Sequence, residues 1–144
     1  MKIAIIGLGL IGGSMARRLR GFRDCSIVAY NRSQESLDLA LTDGVIDEGY
    51  SNPKDAMRDA DLIIMCLYPQ LNVDFVRDNL DVIKDGAVIT DVTGVKGFIV
   101  REMKKILPDT VDFIGGHPMA GREIGGYKSS TDTLFENAPY IVTP

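Results

Sequence analysis

The only histidine in the chain, His117, is a candidate for acid–base chemistry because of its surroundings. It lies in the glycine-rich segment 115–126, where the backbone can adopt conformations closed to other residues. Imidazole has an ordinary pKa of about 6.5, so it can accept a proton near neutral pH. We predict that His117 is a general base and that Glu123, in the same segment, orients it or gates access to it. The alternative is that both are surface side chains without a catalytic role.

A second candidate site is the glycine spacing near the start of the chain, which fits G-x-G-x-x-G. In this pattern the first glycine permits a tight turn, the second lets the backbone approach a pyrophosphate, and the third lets a helix lie close to a sheet. The helix N-terminus adds unpaired N–H groups and a partial positive charge. The alternative is a tight turn that binds nothing. The spacing predicts a dinucleotide site that contains Gly7, Leu8, Gly9, Leu10, Ile11 and Gly12.

The end of the second predicted strand bears on which dinucleotide binds. Proteins of this type that use NAD usually have Asp or Glu there, which binds the ribose 2′-hydroxyl. This sequence has Asn31, Arg32 and Ser33 instead, so no carboxylate would repel a 2′-phosphate and a guanidinium could pair with it. We therefore predict a preference for NADP, with NAD as an accepted alternative. A competing interpretation is that Arg32 is solvated and its neighbours only cap the next helix.

Two later loops are expected to line the same cleft, because ligands of open parallel sheets bind outside the carboxyl ends of the strands. One follows the fourth predicted strand and the other, at residues 91–94, follows the fifth and opens a helix. The predicted cofactor-binding residues in these loops are Cys66, Leu67, Tyr68, Pro69, Thr93 and Gly94.

The elements that position these residues follow from the apolar pattern. Strands are predicted at residues 2–6, 26–30, 45–46, 61–66, 87–90, 111–114 and 140–142. Helices are predicted at residues 11–22, 34–43, 53–57, 73–83 and 95–106, the second of which would bury Leu37, Ala40 and Leu41. The alternation predicts an α/β fold with a doubly wound, mostly parallel sheet (a Rossmann fold) in one domain over residues 1–144. The sixth strand is expected to end at Gly115-Gly116, which leaves His117 in a loop.

Composition argues against several other classes of protein. The formal net charge of −4, with no basic run, argues against non-specific binding to nucleic acid or to an anionic membrane. No apolar run approaches the roughly 20 residues of a transmembrane helix. The two cysteines lie far apart in the sequence, which argues against a zinc site and favours a reducing compartment, so we predict a cytoplasmic protein without a metal.

Three segments resemble the prephenate/arogenate dehydrogenase family, in the order found in that family. Residues 116–123, Gly-His-Pro-Met-Ala-Gly-Arg-Glu, resemble its G-x-H-P-[MI]-A-G-x-E block, which is distinctive. Residues 7–14 resemble its nucleotide loop, and residues 90–96 resemble its [TV]-D-x-x-S-x-K block. The resemblance implies oxidative decarboxylation of prephenate or arogenate in tyrosine biosynthesis, with hydride transfer to a nicotinamide. It also implies that His117 removes the ring hydroxyl proton and that Glu123 controls access.

The chain departs from the family pattern at Gly94, where the family has a serine that contacts the histidine and the nicotinamide. We predict that the Thr93 hydroxyl, or water, replaces it. Lys96 matches a family lysine, although a lysine in the first turn of a helix is typically solvated. The family also implies a helical substrate and dimerisation domain after residue 144 and a homodimeric parent protein. The present chain is therefore expected to bind cofactor with little or no turnover.

Two other functions remain open at this point. A β-hydroxyacid-type NADP-dependent dehydrogenase would share the early glycine spacing and an Asn-Arg-Ser end to the second strand. It would not need a histidine block like that at residues 115–126. A non-catalytic NADP-sensing module would bind the cofactor and would not depend on His117.

Overall fold

A computed structural model describes residues 1–144 and contains seven strands and five α-helices. The strands are β1 Lys2–Ile6, β2 Ser26–Tyr30, β3 Glu48–Tyr50, β4 Leu62–Met65, β5 Val88–Asp91, β6 Asp112–Pro118 and β7 Tyr140–Thr143. The helices are α1 Leu10–Leu19, α2 Gln34–Thr42, α3 Pro53–Met57, α4 Pro69–Asp78 and α5 Lys96–Ile106. Short 3₁₀ turns lie at Leu80–Val82 and Tyr127–Ser129.

The strands form one sheet in the order β3-β2-β1-β4-β5-β6-β7. All neighbouring pairs are parallel except β6 and β7, which are antiparallel. The connection from β3 to β4 carries the chain across to the other half of the sheet. The strand order therefore switches direction between the neighbours β1 and β4, and this switch opens a crevice beyond their carboxyl ends. The sheet and its flanking helices confirm the predicted Rossmann fold.

Apolar residues cover both faces of the sheet, and this explains the continuous apolar strands of the sequence. Successive residues of β1 alternate between the two faces, so Ala4 and Ile6 join one cluster while Ile3 and Ile5 join the other. The first cluster packs under α3, α4 and α5, and the second under α1 and α2. The largest fully buried side chains are Ile3, Ile5, Ile6, Leu8, Ile27, Leu37, Met57, Ile63, Met65, Ile89, Ile99 and Met103.

Ordinary capping residues mark both ends of α2 and the start of α3. The side chain of Ser33 accepts a hydrogen bond from the Ser36 N–H at 3.3 Å, which confirms the expected cap of α2. The Asn52 side chain caps α3, and Pro53 occupies its first position. Gly44, with φ of +66°, follows the end of α2.

Several sequence-based boundaries are wrong. The third strand lies at 48–50 rather than 45–46, because Val45 and Ile46 are buried beneath α2 before the chain reaches the sheet edge. Leu41 is exposed rather than buried. Helix α1 ends at Leu19, and α4 ends at Asp78 with a 3₁₀ turn after it. The apolar periodicity of the sequence continues past both helix ends, so the predicted helices end too late.

The sixth strand also differs, and the difference changes the position of His117. β6 runs through Pro118, and its second half pairs antiparallel with β7, with His117 opposite Ile141. The expected stop at Gly115-Gly116 is therefore wrong, and His117 lies on a strand rather than in a loop. The partner strand β7 begins 14 residues after the end of the glycine-rich segment 115–126, so local sequence did not show that the two strands pair.

Candidate active site

An open cleft of about 530 Å³ lies at the carboxyl ends of β1, β2, β4 and β5. Eleven of the residues predicted to bind a cofactor line it, together with Val92 from the predicted loop 91–94. The lining residues are Gly7, Gly9, Leu10, Ile11, Asn31, Cys66, Leu67, Tyr68, Pro69, Val92, Thr93 and Gly94.

The three glycines of the early motif have three different surroundings. Gly7 has φ of +105°, and a Cβ atom there would lie 2.7 Å from Leu67 Cδ2. A Cβ at Gly12 would lie 1.9 Å from the Gly7 carbonyl oxygen, so the turn closes only without a side chain. A Cβ at Gly9 would meet no atom within 4 Å. Gly7 and Gly12 therefore shape the turn, whereas Gly9 keeps space open at the N-terminus of α1, where no side chain caps the helix.

Asn31 holds this turn to the end of β2. Its Oδ1 accepts a hydrogen bond from the Leu8 N–H at 3.1 Å, and its own N–H donates to the Tyr50 carbonyl at 3.3 Å. Arg32 and Ser33 are exposed beside it and do not line the cleft. The Arg32 guanidinium forms no ion pair and no hydrogen bond within the protein, so it is free to contact a ligand.

The loop after β4 is held by a residue that the sequence analysis missed. Asn72 is fully buried on α4, where its Oδ1 accepts from the Leu67 N–H at 3.1 Å and its Nδ2 donates to the Leu67 carbonyl at 3.2 Å. In the sequence, the one indication of this role is that a polar residue, Asn72, stands next to the apolar positions of the predicted helix. Tyr68, 80% exposed, stands at the rim of the loop with its ring available to a planar ligand.

Cys66 faces the cleft from the end of β4, and its environment makes the thiol unreactive. Burial, followed by the nearby Asp91 carboxylate, raises the pKa of Cys66 to about 12. A thiol with so high a pKa stays protonated at neutral pH, and the thiolate is the nucleophilic form. Cys66 therefore contributes shape to the cleft.

His117 stands against the loop after β5. A Cβ atom placed on Gly94 would lie 3.3 Å from His117 Cε1 and 3.6 Å from its Nε2. Because Gly94 also lines the cleft, the partly buried imidazole lies next to the space that the glycine turn borders. The structure thus brings the two motifs of the sequence, 110 residues apart, to one edge of the sheet.

Thr93 is buried in the same loop, and its hydroxyl is already engaged. Both its N–H, at 3.0 Å, and its hydroxyl donate to Asp91 Oδ2. The carboxylate of Asp91 has no exposure to solvent and needs donors, so it takes this hydroxyl. No hydrogen bond joins Thr93 to His117.

Lys96 forms an ion pair rather than being solvated, which corrects the expectation for a first-turn lysine. Its side chain is 16% exposed, and Nζ lies 2.6 and 2.5 Å from the two oxygens of Asp91. Nζ also donates to the Gly116 carbonyl at 2.6 Å. A buried carboxylate attracts the nearest flexible cation, and that attraction outweighs the hydration of the ammonium group here.

Glu123 lies apart from this arrangement. It is exposed and borders a separate depression of about 410 Å³ with Arg122, Ile124 and Lys128. No hydrogen bond joins Glu123 to His117, so the structure brings His117, Gly94 and the glycine turn together without Glu123.

Two further observations bear on the kind of site. No group of three or more His, Cys, Asp or Glu side chains is placed to hold a metal ion. None of the helices combines the length and the apolar character that crossing a bilayer requires.

Known proteins resemble the chain in sequence and in structure. The profile of the family described as prephenate dehydrogenase, nucleotide-binding domain, matches residues 15–144. A prephenate dehydrogenase from Lactococcus lactis is 36% identical over 99% of this chain and 40% of its own length.

Two solved structures match the whole chain. Synechocystis arogenate dehydrogenase superposes with a TM-score of 0.90 at 33% identity, and prephenate dehydrogenase from A. aeolicus, in complex with hydroxyphenyl propionate and NAD+, with 0.89 at 32%. Both matches cover 50% of the solved chain, so the present chain spans 40% to 50% of the length of these relatives. On sequence and structure alike, the chain belongs to the prephenate dehydrogenase family and corresponds to its nucleotide-binding domain.

Proposed function

We propose that this chain binds NADP in its cleft and supplies the general base, His117, for oxidative decarboxylation of prephenate or arogenate. The observation that carries the proposal is the contact between His117 and Gly94, because Gly94 lines the same cleft as the glycine turn. A bound nicotinamide and the imidazole would then face one substrate. Acid–base and redox chemistry would share a single reacting carbon and its hydroxyl.

The residues at the cleft fit a dinucleotide. The open space at Gly9 and the uncapped N-terminus of α1 suit a pyrophosphate, and the exposed ring of Tyr68 suits a stacked base or nicotinamide. The relative from A. aeolicus carries NAD+. NADP is proposed here because Arg32 has no partner within the protein and no carboxylate lies at the end of β2 to repel a 2′-phosphate.

In the proposed reaction, the oxidised form of NADP would supply the hydride acceptor. His117 accepts the proton of the ring hydroxyl, and hydride leaves the same carbon for that acceptor. The electron pair of the broken bond to the ring carboxylate then enters the ring as carbon dioxide departs, and the oxygen of the aromatic product takes the proton back from His117. The protein therefore has to orient two reactants and hold one base, rather than activate a nucleophile. Thr93 is assigned a positioning role through Asp91, and Glu123 a role in access, since neither contacts His117.

The relatives are at least twice the length of this chain. We propose that the complete enzyme adds a helical substrate and dimerisation domain and acts as a homodimer in the cytoplasm. The two cysteines are unpaired in the structure, as a reducing compartment would keep them.

Calorimetric titration of this chain with NADP and NAD side by side tests the cofactor proposal. NADP is expected to bind at least about tenfold more tightly, a difference of 1.4 kcal/mol. Arg32→Ala should remove most of that difference and leave NAD binding nearly unchanged, while Arg101→Ala, on the outer face of α5, serves as the control. Equal losses for both dinucleotides in Arg32→Ala would refute the NADP preference, and no binding of either would refute the site.

Turnover of a longer protein that contains this chain tests the catalytic proposal. His117→Asn should lower kcat by about 100-fold or more, with dinucleotide affinity nearly unchanged. Oxidation of 3-hydroxyacids instead of prephenate or arogenate would favour a β-hydroxyacid-type enzyme. Unaltered function in His117→Asn would favour an NADP-sensing module.

A further inference from the structure

The backbone bonds between β5 and β6 end before they reach His117. The parallel register runs from Val88–Asp112 to Thr90–Ile114 and goes no further. Two residues later, side chains replace the missing ladder. The N–H of Gly116 donates to Asp91 Oδ1 at 3.1 Å, and its carbonyl accepts from Lys96 Nζ at 2.6 Å.

The positions of Asp91 and Lys96 favour their ion pair rather than the stability of α5. Lys96 is the first residue of α5, where the helix dipole disfavours a cation. Asp91 is fully buried and would be costly without a counter-charge. Helix stability therefore does not explain why a lysine occupies the first position of α5.

The glycines beside His117 make this arrangement sterically feasible. A Cβ at Gly115 would lie 3.0 Å from Lys96 Cδ, and one at Gly116 would lie 2.5 Å from the Asp91 carbonyl oxygen. Side chains at these positions would push the strand away from the ion pair. The glycine-rich character of the segment here serves close approach rather than flexibility.

We propose that Asp91 and Lys96 are positioning residues that fix His117 against Gly94 by holding both peptide groups of Gly116. On the other edge, β7 holds the strand, with His117 paired to Ile141. The backbone at His117 is thus held from two sides, and its imidazole lies beside Gly94, which lines the cleft. This inference rests on the proposed function, in which His117 is the base.

A measurement on the unmodified chain tests the geometry first. His117 is the only histidine, so its ring signals in an NMR spectrum are unambiguous. A nuclear Overhauser effect between His117 Hε1 and the α protons of Gly94 is expected, because a Cβ on Gly94 would lie 3.3 Å from Cε1. Its absence in the unmodified chain would overturn the proposal.

Lys96→Met then removes the cation and leaves the strands in place. The Overhauser effect to Gly94 should be lost, and exchange of the Gly116 amide should speed up by about tenfold or more. The affinity for NADP should stay within about threefold, because Lys96 does not line the cleft. Lys104→Met is the matched control, an exposed lysine on the same helix that should change none of these signals.

A double variant separates positioning from stability. Asp91→Leu with Lys96→Met leaves no unpaired buried charge, so it keeps the test available if Lys96→Met fails to fold. The Overhauser effect should remain lost in the folded double variant. Its return there, or its persistence in Lys96→Met, would overturn the proposal.

The proposed function and this inference are tested by different measurements, so either can be refuted without the other. If calorimetry shows no dinucleotide binding to the unmodified chain, the function is refuted, while the NMR signals still decide whether the pair positions His117. If NADP binds but Lys96→Met keeps the imidazole in place, only the positioning role is refuted.

Discussion

The glycine turn at residues 7–12 and the histidine edge (Asp91, Thr93, Gly94, Lys96, Gly116 and His117) lie at the same end of the sheet but are held by different interactions. The glycine turn is shaped by missing side chains, because a Cβ at Gly7 would collide with Leu67 Cδ2 and one at Gly12 with the Gly7 carbonyl oxygen. The histidine edge is held by a buried ion pair and its hydrogen bonds. The glycine turn thus depends on the absence of side-chain atoms, and the histidine edge depends on the attraction between two charged side chains.

This difference determines how each region fails. An atom added at Gly12 breaks the glycine turn, since it would lie 1.9 Å from the carbonyl oxygen of Gly7. Removal of either charged side chain, Asp91 or Lys96, breaks the histidine edge, since the other charge is left buried without its partner. A backbone site of this kind is also visible in a short motif. At the histidine edge Asp91 and Lys96 are five residues apart, but the Gly116 peptide that they hold is 20 to 25 residues further along the chain.

The largest effect is expected from Gly12→Ala, which breaks the glycine turn. The new Cβ would lie 1.9 Å from the Gly7 carbonyl oxygen and 3.2 Å from Ile5 Cγ2, so the helix must move off the sheet. Chemical denaturation should show a loss of at least about 4 kcal/mol in the free energy of unfolding. Gly97→Ala, within α5 and with no atom near its Cβ, should be neutral or slightly stabilising. Equal stability of the two variants would contradict the steric account.

Asp91→Ala breaks the histidine edge by the opposite route. It removes the partner of Lys96 and the acceptor of the Gly116 and Thr93 N–H groups, so unfolding should become easier by about 3 kcal/mol. Asp85→Ala, an exposed carboxylate before β5, is the control and should change stability by less than about 0.5 kcal/mol. A change in Asp91→Ala no larger than in this control would show that the ion pair contributes nothing to stability.

Gly9→Ala sharpens the comparison, because it adds an atom to the glycine turn at a point where the protein itself has room. No atom lies within 4 Å of the new Cβ, so stability should stay within about 0.5 kcal/mol of the parent. NADP affinity should fall at least about tenfold, or 1.4 kcal/mol, as the methyl group enters the pyrophosphate space. Unchanged affinity would place the diphosphate elsewhere.

The smallest effect concerns a partly exposed ion pair between Arg17 on α1 and Asp43 at the end of α2, which contrasts with the buried pair of the histidine edge. Hydrogen bonds from Arg17 and then Tyr127 lower the pKa of Asp43 below its usual value of 3.8. A carboxylate with a depressed folded pKa stabilises the fold above its unfolded pKa and loses that contribution as pH falls through the folded value.

Acid titration of stability should therefore differ between the parent and Asp43→Asn by at most about 1 kcal/mol above pH 4, since both side chains are partly exposed. The difference should vanish as the pH falls well below 3.8. Asp109→Asn, an exposed carboxylate without an ion pair, is the control. A difference that grows toward acid pH would contradict the sign of this linkage.

Sequence reasoning located the glycine turn well because a G-x-G-x-x-G motif is local. The atoms that exclude a side chain at Gly12 belong to Gly7 and Ile5, within seven residues, and the surrounding apolar periodicity identifies the strand and the helix directly. The same reasoning recognised the block around His117 by resemblance but misplaced it in a loop. It also treated Lys96 as solvated and assigned the Thr93 hydroxyl to the histidine.

By itself, the sequence determined the alternation of strands and helices, the doubly wound sheet and the cleft-lining turns, because apolar periodicity and glycine spacing act over a few residues. Only the tertiary structure decided that β7 pairs with the second half of β6, that Asp91 is fully buried, and that Lys96 lies beside it. The physical reason is that burial and charge pairing are properties of neighbours in space. Asp91 and Gly116 lie 25 residues apart in the chain and within hydrogen-bond distance in the fold.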